Sequence, residues 1–264
     1  MPPKSTGLAW SSPEELDAPS IDIERAISDG LPDHIRLRHP FPVRDQGEIP
    51  CCVSCTVATA MEILDAKRDH ALRLSALFNY VRARLNQAEI GISQGLVVAV
   101  NEGIAPFVDH PHPFTQGGAR VQPTELAKLR AREHRLAPRE RLGGLITERP
   151  YRPASKPRRV EDWKRPLAAG FPLILGFTLG EKAEGLEQPG EHFLRGLDSV
   201  GPGHAVVVHG YDDHALGARR GAFRVKDSRG PEVGKRGSWW IPYAIVEAGV
   251  ARELWIITNL SYDT

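Results

Sequence analysis

Three cysteines, Cys51, Cys52 and Cys55, lie within one short stretch and are the only cysteines of the chain. Cys52 follows Pro50 at the predicted start of a helix, where the helix dipole and unpaired backbone N–H groups favour the nucleophilic thiolate. A buried, unreactive cysteine is the alternative. Cys52 and Cys55 also form a C-x-x-C pair. However, a zinc site needs two further ligands and a thioredoxin-type redox pair needs a βαβ unit, and neither is indicated by the sequence.

Three polar residues elsewhere have the types that a catalytic cysteine requires. Gln46 stands 6 residues before Cys52 in the motif Asp-Gln-Gly. His204 opens a strand-like run in Gly-His-Ala-Val, and Asp227 follows the next strand in Lys-Asp-Ser-Arg-Gly. A histidine takes the proton of the thiol, a third residue orients the imidazole, and an amide donor stabilises an oxyanion. Together the four residues indicate nucleophilic acyl chemistry.

The order of these residues resembles that of the papain-like cysteine peptidases, over nearly the whole chain from about 31 to 258. The family pattern is Asp-Gln-Gly, a helix-opening cysteine six residues after the glutamine, then His-Ala-Val, and then Lys-Asn/Asp-Ser-Trp-Gly. Leu74-Ser75 at the second helix also matches. The closing Gly-Ser-Trp-Trp-Ile-Pro-Tyr of residues 237–243 is similar to the form found in bacterial members.

The resemblance implies an α+β, papain-like two-lobe fold. The left lobe, about 45–125, would be helical around a central Cys-bearing helix, and the right lobe, about 160–260, would be an antiparallel β-sheet or barrel. Residues 1–30 would form a short helical leader before a peptidase domain at 31–264.

The same resemblance implies a cysteine peptidase that hydrolyses peptide bonds in a cleft between the lobes. Cys52 would be the nucleophile, His204 the general base and acid, and Asp227 the orienting residue in the usual place of an asparagine. Gln46 would supply the side-chain oxyanion donor beside the backbone N–H of Cys52. No cofactor and no metal is implied.

Several residues depart from the family pattern. Arg229 replaces the tryptophan that shields the His–Asn hydrogen bond, and an arginine there could pair with Asp227 in competition with His204. Pro50 and Cys51 stand where the family has Gly and Ser. Ile49 replaces a disulfide cysteine whose partners are also absent, which is typical of a reducing compartment and predicts a cytoplasmic protein.

The remaining candidate residues have simpler interpretations. Cys55 is expected in the helix core, and Glu62 is expected to be a buried or paired structural carboxylate. His209 lies five residues after His204 and should point to the opposite face of the strand. The loop histidines are expected to be solvated: His110, His112 and His192. Three tryptophans are expected to be core residues: Trp239, Trp240 and Trp255.

Hydrophobic periodicity places helices first and strands second, as in α+β proteins. Helices are predicted over about 52–67, after the cap Ser75, and over about 94–101, and two short leader helices would be capped by Ser12 and Ser20. The strands are predicted at Leu173–Leu179, Ala205–His209, Ala222–Lys226, Trp239–Ile241 and Leu254–Thr258.

Composition excludes several classes of protein. The 264 residues contain 34 Lys+Arg against 33 Asp+Glu, so net charge indicates neither nucleic-acid nor membrane binding. No apolar run approaches the roughly 20 residues of a membrane span, and no secretory signal is expected. The arginine-rich tract 128–159 is interpreted as a solvated segment, with an acidic docking partner as the alternative.

Two other functions remain open from the sequence. Arg229 favours a non-catalytic homologue that binds peptides or proteins. A transglutaminase-type amide transfer also uses Cys, His and Asp in this order, although Gln46 argues against it. The leader could further pack along the cleft, where it would inhibit the protein, or along the back of the right lobe.

Overall fold

The computed structural model describes residues 8–10, 30–66, 71–84, 87, 89–136, 151–153, 159–187, 192–217 and 220–258. The helices are α1 (Cys52–Ala66), α2 (Ala76–Ala83), α3 (Ile92–Asn101), α4 (Glu125–Ala131), α5 (Val160–Ala168), α6 (Glu181–Glu184) and α7 (Tyr243–Glu247). The strands are β1 (Leu8–Ala9), β2 (His34–Arg36), β3 (Ile90–Gly91), β4 (Tyr151–Pro153), β5 (Leu173–Thr178), β6 (Gly203–Asp212), β7 (Ala222–Lys226), β8 (Ser238–Pro242) and β9 (Glu253–Ile257).

The predicted helices and strands of the two lobes are present within two or three residues of their expected ends. Ser75 caps α2, since its side chain accepts a hydrogen bond of 3.2 Å from the backbone N–H of Phe78. α3 ends before Gly103, which adopts φ +80°, a conformation that glycine reaches without strain. Helices α5, α6 and α7 and strands β1, β2, β3 and β4 were not predicted.

The described part of the leader contains a short strand that was not predicted. The helices predicted after Ser12 and Ser20 lie outside the described residues, whereas Leu8–Ala9 forms strand β1. Most of the arginine-rich tract also lies outside them. At its described beginning, Arg130 pairs with Glu133 at 3.6 Å on the exposed surface.

β6 is the centre of a nine-stranded sheet and pairs with β1, β2, β5 and β7. The order β3-β1-β6-β5-β9-β4 forms one path, and β7 joins β8 to the other side of β6. Side chains of β6 alternate between faces. Ala205 and Val207 face the helical core, and Val206 and Val208 face the core of the right lobe.

α1 lies in the helical core, and all of its residues are buried. Small and aliphatic side chains let the helix pack on every side, against α2, α3 and β6. Its one glutamate, Glu62, is paired with Arg44 and His39, which satisfies a charge that burial alone would penalise. This agrees with the structural role predicted for Glu62.

Two cores on opposite faces of one sheet confirm the α+β, two-lobe fold class. Among the described helices, none is long and apolar enough to cross a membrane.

Candidate active site

Cys52 is the first residue of α1 and is completely buried. One turn later, Thr56 donates a hydrogen bond of 3.0 Å to the carbonyl oxygen of Ala205, which docks the start of α1 on β6 next to His204. Burial raises the pKa of the Cys52 thiol, and the backbone N–H of Ala205 acts in the opposite direction. Burial therefore disfavours the thiolate that the position at the helix start would by itself favour.

His204 and Asp227 form a fully buried pair. Nε2 of His204 lies 2.9 Å from Oδ1 of Asp227, and the edge of the imidazole meets the ring of Phe177 at 5.7 Å. A carboxylate partner assigns the proton of the neutral ring to Nε2. Nδ1 is then the basic nitrogen, and it is buried with no hydrogen-bond partner. Burial lowers the pKa of His204, although Asp227 raises it.

The carboxylate of Asp227 is surrounded by donors on both oxygens. Oδ1 accepts the backbone N–H of Ser228 at 2.7 Å and that of Arg229 at 3.1 Å, in addition to His204. Oδ2 accepts the indole N–H of Trp239 at 2.9 Å. Burial alone would raise the pKa of Asp227, but the positive charge of Arg229 and the hydrogen bonds hold it well below its usual range.

Arg229 does pair with Asp227, as the sequence suggested. Its Nη2 donates to Oδ2 at 3.1 Å, and Nε lies 3.3 Å from Oδ2 and 3.4 Å from Oδ1. His204 nevertheless keeps the shorter contact to Oδ1. The ion pair and the His204 hydrogen bond therefore coexist on different oxygens.

Gln46 is completely buried and bound to the loop that carries Asp227. Its backbone N–H donates to the carbonyl oxygen of Ser228 at 2.8 Å, and the Ser228 hydroxyl donates to its side-chain oxygen. Its Nε2 donates to the carbonyl oxygen of Ile49 at 3.0 Å, on the path to Cys52. These bonds orient the amide with its nitrogen towards the start of α1.

Strand β1 joins the two lobes next to His204. Leu8 pairs with Ile90 of the left lobe and with Gly203 of the right lobe, immediately before His204. An added Cβ at Gly203 would lie only 2.7 Å from the Leu8 carbonyl oxygen, so glycine permits this approach. The Leu8 side chain is 3% exposed and lies with Ile92 over Gly176.

Cys55 lies in the helix core, and His209 is directed away from the candidate site, as the sequence predicted; no such prediction was made for Cys51. Cys51 and Cys55 are free and buried, with their sulfurs 3.8 Å apart. His209 lies at a bulge of β6, where its Nδ1 is 3.2 Å from the carbonyl oxygen of Leu37. It is thus turned away from Asp227.

Two predictions about residues other than the four candidate catalytic residues are wrong. His110 is not solvated but 2% exposed, because it packs between Phe78 and His112, and burial lowers its pKa to about 4. Trp240 is not a core residue. It is partly exposed and stacks on Phe193, since its side chain lies on the outer face of β8.

Sequence reasoning missed three functional contacts. Leu8 lies in the predicted leader, where two residues are too short for a strand pattern. Trp239 was predicted as a core aromatic residue, and that prediction gave no indication that its indole N–H donates a hydrogen bond to Asp227. The Ser228 hydroxyl was not singled out, although its place next to Asp227 was a usable signal.

Within the described residues, no three His, Cys, Asp or Glu side chains converge in a way that could hold a metal ion.

No family model matches the chain. An uncharacterized peptidase C1-like protein of Acanthamoeba polyphaga mimivirus is 24% identical over 257 residues, which covers 92% of this chain and 78% of that protein.

Solved structures share the whole architecture. Xylellain, a cysteine protease from Xylella fastidiosa, superposes with a TM-score of 0.76 at 23% identity and 98% coverage of both chains. A procathepsin B from Trypanosoma congolense gives 0.72 at 16% identity, covering 97% of this chain and 87% of that chain. The proform of Amb a 11, a cysteine protease and ragweed pollen allergen, gives 0.66 at 21% identity, covering 88% and 67%. The structural neighbours are papain-like cysteine proteases, and this chain has their two-lobed α+β fold.

Proposed function

We propose that the protein is a cysteine peptidase in which Cys52, His204 and Asp227 form the catalytic triad and Gln46 is an oxyanion donor. The observation that carries the proposal is the buried 2.9 Å hydrogen bond between His204 and Asp227, held beside the start of α1. Because this hydrogen bond uses Nε2, Nδ1 is the basic nitrogen of the neutral imidazole, and it has no hydrogen-bond partner. A peptide or protein substrate would bind between the lobes, where Leu8 now lies.

The proposed reaction uses each residue at one atom. Nδ1 of His204 takes the proton of the Cys52 thiol, and the thiolate attacks the carbonyl carbon of the scissile bond. The imidazolium returns that proton to the leaving amine, which leaves an acyl-thioester. Water then attacks the thioester with His204 as base, and the acid and the free thiol are released. The Gln46 amide and the Cys52 N–H would stabilise both oxyanions.

Burial of Cys52 and the position of β1 support a latent form of the enzyme. The candidate nucleophile is completely buried and Leu8 joins the two lobes immediately before His204, so β1 must leave before a substrate can take its place there. The same burial favours the second candidate function, a non-catalytic homologue that binds peptides. We also propose, from the three free thiols, that the protein works in a reducing compartment such as the cytoplasm.

Alkylation and turnover together test the proposal. Iodoacetamide at mildly acidic pH, followed by peptide mapping, should label Cys52 ahead of Cys51 and Cys55, and His204→Ala should abolish the preference. Fluorogenic peptides should be cleaved by the protein and not by Cys52→Ala. Labelling of Cys52 no faster than of a free thiol, together with no cleavage, would leave the binding function. Incorporation of an amine in place of hydrolysis would instead indicate amide transfer.

A further inference from the structure

Arg229 is a buried arginine next to the His204–Asp227 pair. It is 1% exposed, although arginine is almost never fully buried unless it is paired. Its guanidinium bridges two carboxylates: Nη2 lies 3.1 Å from Oδ2 of Asp227, and Nη1 lies 3.1 Å from Oε1 of Glu187. Since Glu187 is half-exposed and Asp227 is buried, the desolvated partner of the arginine is Asp227.

The shortest hydrogen bonds to the two oxygens of Asp227 come from different donors, although Nε of Arg229 also lies 3.4 Å from Oδ1. Oδ2 receives Trp239 at 2.9 Å and the guanidinium, and Oδ1 faces His204. Donors on Oδ2 oppose rotation of the carboxylate, which keeps Oδ1 directed at the imidazole. An amide in this place would present an N–H to Trp239 or to His204, so these donors require a carboxylate.

The formal charges next to the imidazole of His204 cancel. The loop after β7 contributes the negative charge of Asp227 and the positive charge of Arg229, and α1 contributes the uncharged thiol of Cys52. The neighbours from β5 and β8 are Phe177 and Trp239, which do not titrate. Glu187 reaches only the outer side of Arg229.

Building on the proposed function, we propose that Arg229 is a positioning residue of the active site. It fixes the carboxylate of Asp227 for His204 and cancels the negative charge, so that the pair acts on the imidazole as a neutral acceptor would. One consequence, which depends on the charge at position 229, distinguishes this role from packing.

The charge effect has a definite sign. Asp227 raises the pKa of His204 and Arg229 lowers it. Removing the positive charge while keeping Asp227 must therefore raise the pKa of His204. A raised pKa keeps the imidazolium, which protonates the leaving amine, to higher pH, and the alkaline limb of peptide turnover moves upward with it.

The test measures His204 directly in the full chain. Histidine labelled with ¹³C at Cε1 is titrated by NMR, and the His204 signal is identified by its loss in His204→Ala. Arg229→Met should raise the pKa of His204 by about 1 unit or more. Arg229→Lys keeps the charge and should titrate near the parent protein. Arg224→Met removes a half-buried arginine that contacts Trp240 and is the matched control, with no shift expected.

Arg229→Gln is the second uncharged variant should Arg229→Met fail to fold, because it can still donate to Oδ2. The inference is overturned if the uncharged variant that folds titrates within about 0.3 unit of the parent protein, or if Arg229→Lys shifts as far as the uncharged variant. Peptide turnover by the parent protein is measured separately. A failed titration beside intact turnover refutes the role of Arg229 alone, whereas turnover that is absent both from the parent protein and from Leu8→Asp, which is expected to release β1, refutes the proposed function.

Discussion

Asp227 is the residue on which the site depends, because five donor groups converge on its carboxylate. Each donor is buried, and an unsatisfied buried donor costs free energy that no water can restore. The residue is therefore both the partner of His204 and the counter-charge of Arg229. Its replacement must affect stability and reactivity together.

We expect Asp227→Asn to lower the free energy of unfolding by about 3–5 kcal/mol, the cost of leaving a buried charge unpaired. Alkylation of Cys52 at mildly acidic pH should fall as well, because an amide nitrogen faces Trp239 or His204. Urea unfolding and iodoacetamide kinetics measure the two effects. Asp213→Asn, at a more exposed pair with Lys164, is the control and should cost about 1 kcal/mol or less. Equal losses in the two variants would contradict this account.

At the scale of elements, β1 has only two residues but connects the two lobes. It joins β3 of one lobe to β6 of the other, beside His204. Two residues provide few hydrogen bonds, so most of its binding free energy must come from the buried Leu8 side chain. A buried leucine contributes about 1.5–3 kcal/mol.

Leu8→Asp should therefore release β1 and accelerate alkylation of Cys52 by about 10-fold or more, in line with that burial free energy. Peptide turnover should rise in parallel. Trp10→Ala is the control: Trp10 is 40% exposed and stacks on Arg252, so its loss should change either rate far less. Deletion of the residues before Leu31 should act as Leu8→Asp does. Unchanged or lower turnover in both would exclude self-inhibition and leave β1 a structural role.

The stability of the fold also depends on the contacts that Glu62 makes from α1. Its carboxylate binds Arg44, His39 and the backbone N–H of Leu74. Burial would raise the pKa of Glu62, but Arg44 and His39 lower it to about 2. The stabilisation is thus complete above the ordinary pKa of 4.5 and is lost as pH falls from there towards 2.

Glu62→Gln should cost about 3–5 kcal/mol of unfolding free energy at pH 7, since it breaks a buried ion pair. The difference from the parent protein should shrink as pH falls below 4.5. Glu102→Gln removes the partner of Arg82 at a half-exposed pair and should cost about 1 kcal/mol or less. Denaturant titrations at several pH values test both expectations, and a pH-independent difference would contradict the first.

At the scale of the whole molecule, buried neutral histidines make the fold sensitive to acid. Burial lowers the pKa of His110 to about 4 and that of His209 to about 3. In the unfolded chain each binds a proton near pH 6.5, whereas in the fold neither does until the lower value is reached. Stability must therefore fall as pH drops from 6.5, by at most about 1.4 kcal/mol per pH unit for each histidine.

His110→Leu should remove part of this dependence. The His110 side chain makes no hydrogen bond through Nε2, so leucine loses no polar contact there. Relative to the parent protein, we expect the variant to gain about 1–2 kcal/mol at pH 5 over its value at pH 7. His112→Leu, at the partly exposed neighbour, is the control with a smaller change. Parallel stability curves for the parent protein and His110→Leu would refute the account.

The sequence by itself determined α1 to α3, β5 to β9 and their order, because these elements follow from local periodicity, caps and glycines. α1 and β7 illustrate this, since each is predicted from its own residues. The sequence also named Cys52, His204, Asp227 and Gln46 as candidates, through spacing within short motifs. Their catalytic roles remain predictions.

Only the tertiary structure decided which side chains share the site and in which state they lie there. Trp239 and Glu187 reach Asp227 and Arg229 from distant parts of the chain, and no local pattern reports such contacts. The placement of Leu8 across the cleft depends on β3 and β6 at once. Burial, which disfavours the thiolate of Cys52 and keeps His110 neutral, arises when elements close over one another, and that is a property of the packed molecule.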